Sequence, residues 1–280
     1  MRSRNICHSL VGAILFTVIF AGGFAYGQPE GSSQSVASVA KNDDIAKAFQ
    51  QGVKLEDAGD YAGAEKVFLD GLDKAKAAND DANAAAFLDQ LGFVCYKTSR
   101  WSQAVYYDTQ NLSLSEKAGD DAAIARSLGA LANATLKQGQ APRAVTLQIR
   151  ALDLRKKLRE PHAIAVTQAD LGTAYAVSGN YAKAVDAYSD AFIQFDKESN
   201  KEYAAYTASN LGRAFTRLQQ YDKALESFGR AASLYEQLGD KSAQSQTQKD
   251  IGVVYERSGR QAEAKAAYAE ADRIIASAPK

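Results

Sequence analysis

Cysteine and histidine are scarce in this sequence, with two residues of each among 280. Cys7 and His8 lie together near the N-terminus, so the rest of the chain has only Cys95 and His162. A single cysteine cannot form an intrachain disulfide, and one cysteine with one histidine falls short of the usual four-ligand zinc set. Glycine-rich phosphate loops and catalytic-triad spacings are missing too. We therefore predict a protein that is not an enzyme and needs no metal or other cofactor. We also expect the side chain of His162 to be exposed to solvent.

Proline is also rare, with four residues, and the β-branched and aromatic runs that are typical of strands are missing. Alanine is abundant instead, which favours helices. The 33 basic residues balance 33 acidic residues, so the formal net charge is zero. This balance argues against a dedicated nucleic-acid-binding protein, and we expect no nucleic-acid partner. The composition predicts an all-α fold.

The first 27 residues differ from the rest of the chain. Two arginines precede an apolar run from Leu10 to about Tyr26, and Ala25 and Gly27 provide small residues at its end. This pattern is typical of a secretory signal peptide that is cleaved after Gly27. We therefore expect an exported protein, periplasmic or secreted. The alternative is an uncleaved membrane anchor, because roughly seventeen apolar residues reach the lower limit for a membrane span.

The remaining chain has three parts. Residues 28–43 are rich in glycine, serine, glutamine and alanine without an apolar period, and we interpret them as a flexible linker. Residues 44–275 contain one pattern that repeats every forty residues, and residues 276–280 form a short tail.

One column of the repeat holds small residues: Gly52, Gly92, Ala132, Gly172, Gly212 and Gly252. A second column, twelve residues further on, is alanine throughout: Ala64, Ala104, Ala144, Ala184, Ala224 and Ala264. A fixed period of this length predicts a solenoid, and favours a binding scaffold over a catalyst.

Each unit of the repeat contains two helical patterns. In the fourth unit, Leu171, Gly172 and Tyr175 fall on one face of the first helix, and Ala184 and Tyr188 fall on one face of the second. A glycine-containing turn separates the two patterns. Between units, an asparagine, serine or glycine often precedes a residue that suits a helix N-cap, as in Asn79-Asp80, Gly119-Asp120, Ser199-Asn200 and Gly239-Asp240. Each unit is therefore predicted to be a helical hairpin.

These residues resemble the tetratricopeptide repeat. The family pattern is Leu-Gly, an aromatic residue three positions on, and then an alanine, an aromatic residue and a second alanine on the partner helix. The fourth unit matches with Leu171, Gly172, Tyr175, Ala184, Tyr188 and Ala191, and the fifth and sixth match equally well. The second and third units depart from it with Cys95, Asp108, Thr135 and Gln148, and the period is forty rather than thirty-four residues. The resemblance implies a right-handed superhelical solenoid of six antiparallel hairpins, whose concave groove binds extended peptides.

In the family, the groove is lined by the side of each first helix that lies opposite the Leu-Gly-aromatic face. Our candidates for partner binding on that side are Phe93, Tyr96, Arg126, Asn133, Lys137, Tyr206, Arg213, Arg217, Lys249 and Arg257. Basic residues are in excess on this side of units three to six, so we expect a protein partner with an extended acidic segment. The alternative is that these charges form an ordinary solvated helix face.

Two further alternatives stay open from the sequence. The groove aromatics Phe93, Tyr96 and Tyr206 would also suit a small-molecule or glycan-binding module, or a sensory module of the cell envelope. The array also ends without an additional capping helix, so its last unit is a second candidate surface for self-association.

Overall fold

The computed structural model describes residues 43–277, which fold into helices connected by short turns and contain no strand in that range. The predicted signal peptide, all but the last residue of the predicted linker, and residues 278–280 of the predicted tail lie outside the described residues. The twelve helices of the described part are α1 (Asp43–Asp57), α2 (Tyr61–Ala77), α3 (Asp81–Lys97), α4 (Trp101–Ala118), α5 (Asp121–Lys137), α6 (Ala141–Leu158), α7 (Pro161–Val177), α8 (Tyr181–Lys197), α9 (Lys201–Arg217), α10 (Tyr221–Leu238), α11 (Lys241–Arg257) and α12 (Gln261–Ala276).

The helices pack as six consecutive hairpins, which confirms the predicted all-α solenoid. Each helix packs mainly against the helix before it and the helix after it in the chain. Successive odd-numbered helices also touch one another, whereas successive even-numbered helices are held further apart. The odd-numbered helices therefore line the inner, concave side of the solenoid, and the even-numbered helices form its outer side.

Close packing inside each hairpin depends on the small residues of the first column. Gly52 lies against the ring of Phe68, and Gly212 lies against the ring of Phe228, in each case sixteen residues further along the chain. Both rings are fully buried. A glycine on one helix thus makes room for an aromatic ring on its partner, as expected where two helix axes approach closely.

The turns between helices repeat every twenty residues. Each contains one residue with a positive φ, at Gly59, Asn79, Ser99, Gly119, Gly139, Arg159, Gly179, Ser199, Gln219, Gly239 and Gly259. Asp80, Asp120 and Asp240 then accept hydrogen bonds from backbone N–H groups of the next helix, which confirms their predicted role as N-caps.

The prediction that the His162 side chain is exposed to solvent is wrong. Its Nδ1 lies 2.6 Å from Oε2 of Glu198, and its side chain is only 29% exposed. The imidazole also makes edge contacts with the rings of Phe195 and Tyr203. These partners belong to the end of α8 and the start of α9, so the first turn of α7 is covered by elements that follow it in the solenoid.

Candidate functional site

The concave side of the solenoid places the ten predicted partner-binding residues in different environments. Arg126, Lys137, Lys249 and Arg257 are exposed, Tyr96, Tyr206, Arg213 and Arg217 are partly buried, and Phe93 and Asn133 are buried. Lys137 lies at the edge of the solenoid, where it lines a cleft of about 550 Å³. Gln138, the turn residues Ser99 and Arg100, and the first three residues of α4 complete the lining. The predicted set is therefore not one continuous exposed surface.

Contacts between successive inner helices explain why part of the set is buried. The Asn133 side chain donates from Nδ2 to Asp170 Oδ2 at 3.3 Å, across thirty-seven residues of sequence. Arg213 donates from Nε to Asp250 Oδ2 at 2.9 Å across the same separation. Phe93 packs against Ala130, also thirty-seven residues on. Three inner helices, α3, α5 and α9, thus use one groove position to contact the next inner helix.

Arg213 is engaged within the protein. Its Nη2 lies 2.8 Å from Asp250 Oδ2, and Nη1 donates to Asn210 Oδ1 at 3.2 Å. The Arg213 and Asp250 side chains are only 14% and 17% exposed. Asp170 and Asp250 were not among the candidate residues, although Asp250 directly follows the candidate Lys249, because one step along a helix turns a side chain by about 100°. The signal available in the sequence was the opposite polarity of Arg213 and Asp250 at a spacing just short of one repeat.

Two tyrosines of the concave side, Tyr96 and Tyr206, share Asp170 as an electrostatic neighbour. Burial raises the pKa of Tyr96 and of Tyr206, and the charge of the nearby Asp170 carboxylate raises both further. Tyr96 comes from the second hairpin, Asp170 from the fourth and Tyr206 from the fifth, so side chains from distant units converge here. Tyr96 also packs edge-on against Trp101, with ring centroids 5.1 Å apart. This part of the groove is therefore aromatic and polar.

The C-terminal half of the concave side presents cations. Lys249 and Arg257 are exposed on α11, and neither makes an ion pair among the described residues. Arg217 of α9 holds its guanidinium 5.9 Å from the ring centroid of Tyr181. The Arg217 Nε is buried and has no hydrogen-bond partner in the described part of the chain. These three side chains can donate charge-assisted hydrogen bonds to an anionic ligand.

The N-terminal half of the concave side has the opposite character. Burial raises the pKa of Glu56 to about 7, and the neighbouring Asp57 and Asp89 carboxylates act in the same direction. Burial also raises the pKa of Asp89, against the opposing charge of Arg126. The groove therefore carries acidic groups in its first two units and cationic groups in its last two.

The two ends of the solenoid carry polar residues where inner units are apolar. Gln51 and Lys54 of α1 are exposed, whereas Leu91 and Val94 at the same positions of α3 are buried. On α12, Lys265 and Asp272 are exposed at the positions of Val105 and Leu112 in α4, where Leu112 is buried against the next hairpin. These substitutions suit surfaces that face water, and they weigh against self-association through either end.

None of the helices between residues 43 and 277 combines the length and the apolar character that crossing a membrane requires.

Comparison with known proteins identifies the repeat. The profile of the tetratricopeptide repeat matches residues 120–192 and 203–274, together just over half of the chain. No curated protein matches the sequence.

Several solved structures have a similar fold. RapI in its apo form has a TM-score of 0.69 at 16% identity, with 84% of this chain and 99% of RapI covered. BtubC from P. vanneervenii has a TM-score of 0.64 at 18% identity, with 89% and 94% covered. A Rap protein complexed with Competence and Sporulation Factor has a TM-score of 0.64 at 15% identity, with 88% and 80% covered. At such low identity, the likeness concerns the fold alone.

Proposed function

Because the chain belongs to the tetratricopeptide repeat family, we propose that it is an exported, non-catalytic scaffold or adaptor that binds an extended acidic segment of another protein. The family fold is typical of protein–protein interaction scaffolds. The observation that carries the proposal is the group of three cationic side chains, Arg217, Lys249 and Arg257, on the C-terminal half of the concave side. We call these three residues the basic patch.

The chemistry of the basic patch fits carboxylates. The planar guanidinium of arginine can bind a carboxylate through two hydrogen bonds, and lysine adds a flexible point charge. Lys249 and Arg257 lie eight residues apart on one helix, which corresponds to ~12 Å at 1.5 Å per residue. An extended chain advances ~3.3 Å per residue. Acidic side chains about four residues apart along an extended segment would therefore reach both.

A binding experiment with short peptides tests this proposal. Fluorescence anisotropy would compare fluorescein-labelled hexaglutamate, hexalysine and an uncharged glycine–serine peptide. We expect binding of hexaglutamate that weakens as salt is added, because exposed charges are screened. The variant Arg217→Glu, Lys249→Glu and Arg257→Glu should lose this binding. A control variant with three exposed charges reversed on the outer helices, Lys66→Glu, Arg143→Glu and Lys265→Glu, should keep it. Equal loss in both variants, or no preference for the acidic peptide, would contradict the proposal.

Export is the second part of the proposed function. It is supported by the basic start, the apolar run and the small residues before Gln28. The intact mass of the protein recovered from the cell envelope or the medium should correspond to a chain that begins at Gln28. A full-length chain recovered with membranes would favour the uncleaved anchor instead.

A small-molecule or glycan-binding module is the second candidate function, and the convergence of Tyr96 and Tyr206 near Asp170 favours it. A small ligand at this point would lose its binding after one local substitution such as Tyr206→Ala, with the basic patch intact. It should also alter the fluorescence of Trp101, which is the one tryptophan in the sequence and packs against Tyr96. An acidic segment held by the basic patch should tolerate Tyr206→Ala.

A further inference from the structure

Arg213 lies beside the basic patch, but its charge is already used. Asp250 of the next inner helix accepts from both Nε and Nη2 of its guanidinium, at 2.9 and 2.8 Å. Both side chains are largely buried. A carboxylate therefore occupies, within the chain, the kind of position that an acidic ligand would take.

The exchange of one carboxylate for another is chemically balanced. If a ligand carboxylate replaced that of Asp250, the Arg213 guanidinium would keep both an opposite charge and two hydrogen-bond acceptors. Asp250 would not be left without a partner, because its Oδ1 already accepts from Gln246 Nε2 at 3.3 Å. Gln246 is exposed on the same helix, four residues before Asp250. The released carboxylate can thus turn toward Gln246 and solvent.

We propose that Asp250 is a built-in competitor for the acidic segment, holding Arg213 in the free protein and yielding it when a ligand carboxylate arrives. This inference rests on the proposed function, since it concerns the same half of the groove. Asp250 would then set the affinity and selectivity of the site. A segment with few carboxylates would leave the ion pair between Arg213 and Asp250 intact, while a segment with several carboxylates would displace Asp250 from Arg213.

The contact between Asn133 and Asp170 supplies a matched control. It has the same separation of thirty-seven residues and the same place on the inner helices, but its donor is a neutral amide. Removing the charge of Asp250 therefore releases the Arg213 guanidinium, whereas removing the charge of Asp170 weakens a contact with a neutral amide. A purely structural role predicts that both changes act on stability alone.

The experiment measures hexaglutamate binding to the full chain by anisotropy, for the natural sequence and for Asp250→Asn, Asp170→Asn and Asp250→Asn with Arg213→Gln. We expect Asp250→Asn to bind roughly tenfold more tightly, in line with the value of one hydrogen bond between charged groups. The added Arg213→Gln should abolish that gain, and Asp170→Asn should leave the affinity within about twofold of the natural sequence. Thermal unfolding of each variant shows that it is folded at the temperature of the assay.

The possible results separate the two proposals. Unchanged affinity in Asp250→Asn, with binding still lost when the basic patch is reversed, would overturn the competitor role and leave the proposed function standing. An equal gain in Asp170→Asn would also overturn it, since it would show general loosening of the groove. Failure of every variant to bind would overturn the proposed function together with the inference.

Discussion

The ring of Tyr188 lies so close to Gly172 that a Cβ atom on Gly172 would be 2.8 Å from ring carbons Cδ1 and Cε1. The ring is fully buried, and its hydroxyl donates to Thr173 Oγ1 at 2.9 Å, so it cannot simply move away. In the third hairpin the same two positions hold Ala132 and Gln148. The glycine thus makes room for the aromatic ring of its partner, and the third hairpin, which has no ring at this position, accommodates alanine.

Gly172→Ala should therefore destabilise the protein by roughly 1–3 kcal/mol, the range for overpacking a core. The matched change is Gly229→Ala on α10, where an added Cβ meets no atom within 4 Å. Alanine is the better helix former by about 1 kcal/mol, so this variant should be more stable than the natural sequence. Thermal midpoints by circular dichroism measure both. Midpoints that shift in the same direction for both variants would show that the close contact between Gly172 and the Tyr188 ring does not determine the effect of an added methyl group.

Gln219→Gly should stabilise the protein by about 1 kcal/mol, because a left-handed conformation strains residues that have a side chain. Gln219 has a φ of 60° in the turn between α9 and α10. Four of the five other hairpin turns have glycine at this position, and the fifth has Ser99. Gln219→Ala keeps the strain and serves as the control. A lower midpoint for the glycine variant than for the alanine variant would contradict the assigned strain.

The stability of the N-terminal half should depend on pH through Glu56. Its folded pKa of about 7 lies above the ordinary value, so the folded state holds this proton more tightly than the unfolded chain does. The resulting stabilisation is present at low pH and is lost as the pH rises through 7. Glu56→Gln should therefore unfold at a higher temperature than the natural sequence at pH 8 and at a similar temperature at pH 5. Asp73→Asn, which removes an exposed carboxylate on the outer helix α2, is the control variant.

The polar ends of the solenoid should keep the protein monomeric. Light scattering at rising concentration should give the mass of one chain. The combined changes Gln51→Leu, Lys54→Val, Lys265→Val and Asp272→Leu reproduce the residues of inner units at both ends, and should cause head-to-tail association that grows with concentration. Changes at one end only should not. Oligomers of the natural sequence that persist after charge reversal in the groove would support self-association through the last unit.

The sequence predicted the architecture well because each unit carries the same local signals. Gly172 and Tyr188, which are sixteen residues apart, define a hairpin, and Asp120 defines a helix start. These features depend on neighbours that are close in the chain. Periodicity then extends them to the whole array.

The candidate site was harder to predict because it depends on contacts between units. Helix periodicity placed Arg213 on the concave side, but it gave no sign that Asp250 would hold it. The burial of Asn133 likewise results from Asp170 and Gln148, which belong to the next unit and to the partner helix. His162 shows the same limit, since Glu198 lies thirty-six residues away. How far each face is covered depends on the curvature of the solenoid, which no single repeat encodes.

The most direct test of the account is an in-cell photo-crosslink from position 249, with an identical probe at position 223 on the outer helix α10 for comparison. Mass spectrometry would identify both the product and the crosslinked segment. We expect one dominant protein product from position 249 alone, joined through a segment rich in aspartate and glutamate. This product should be lost when Arg217→Glu and Arg257→Glu are added. The same products from both positions, or a crosslinked segment without acidic residues, would contradict the claim that this groove binds an acidic partner.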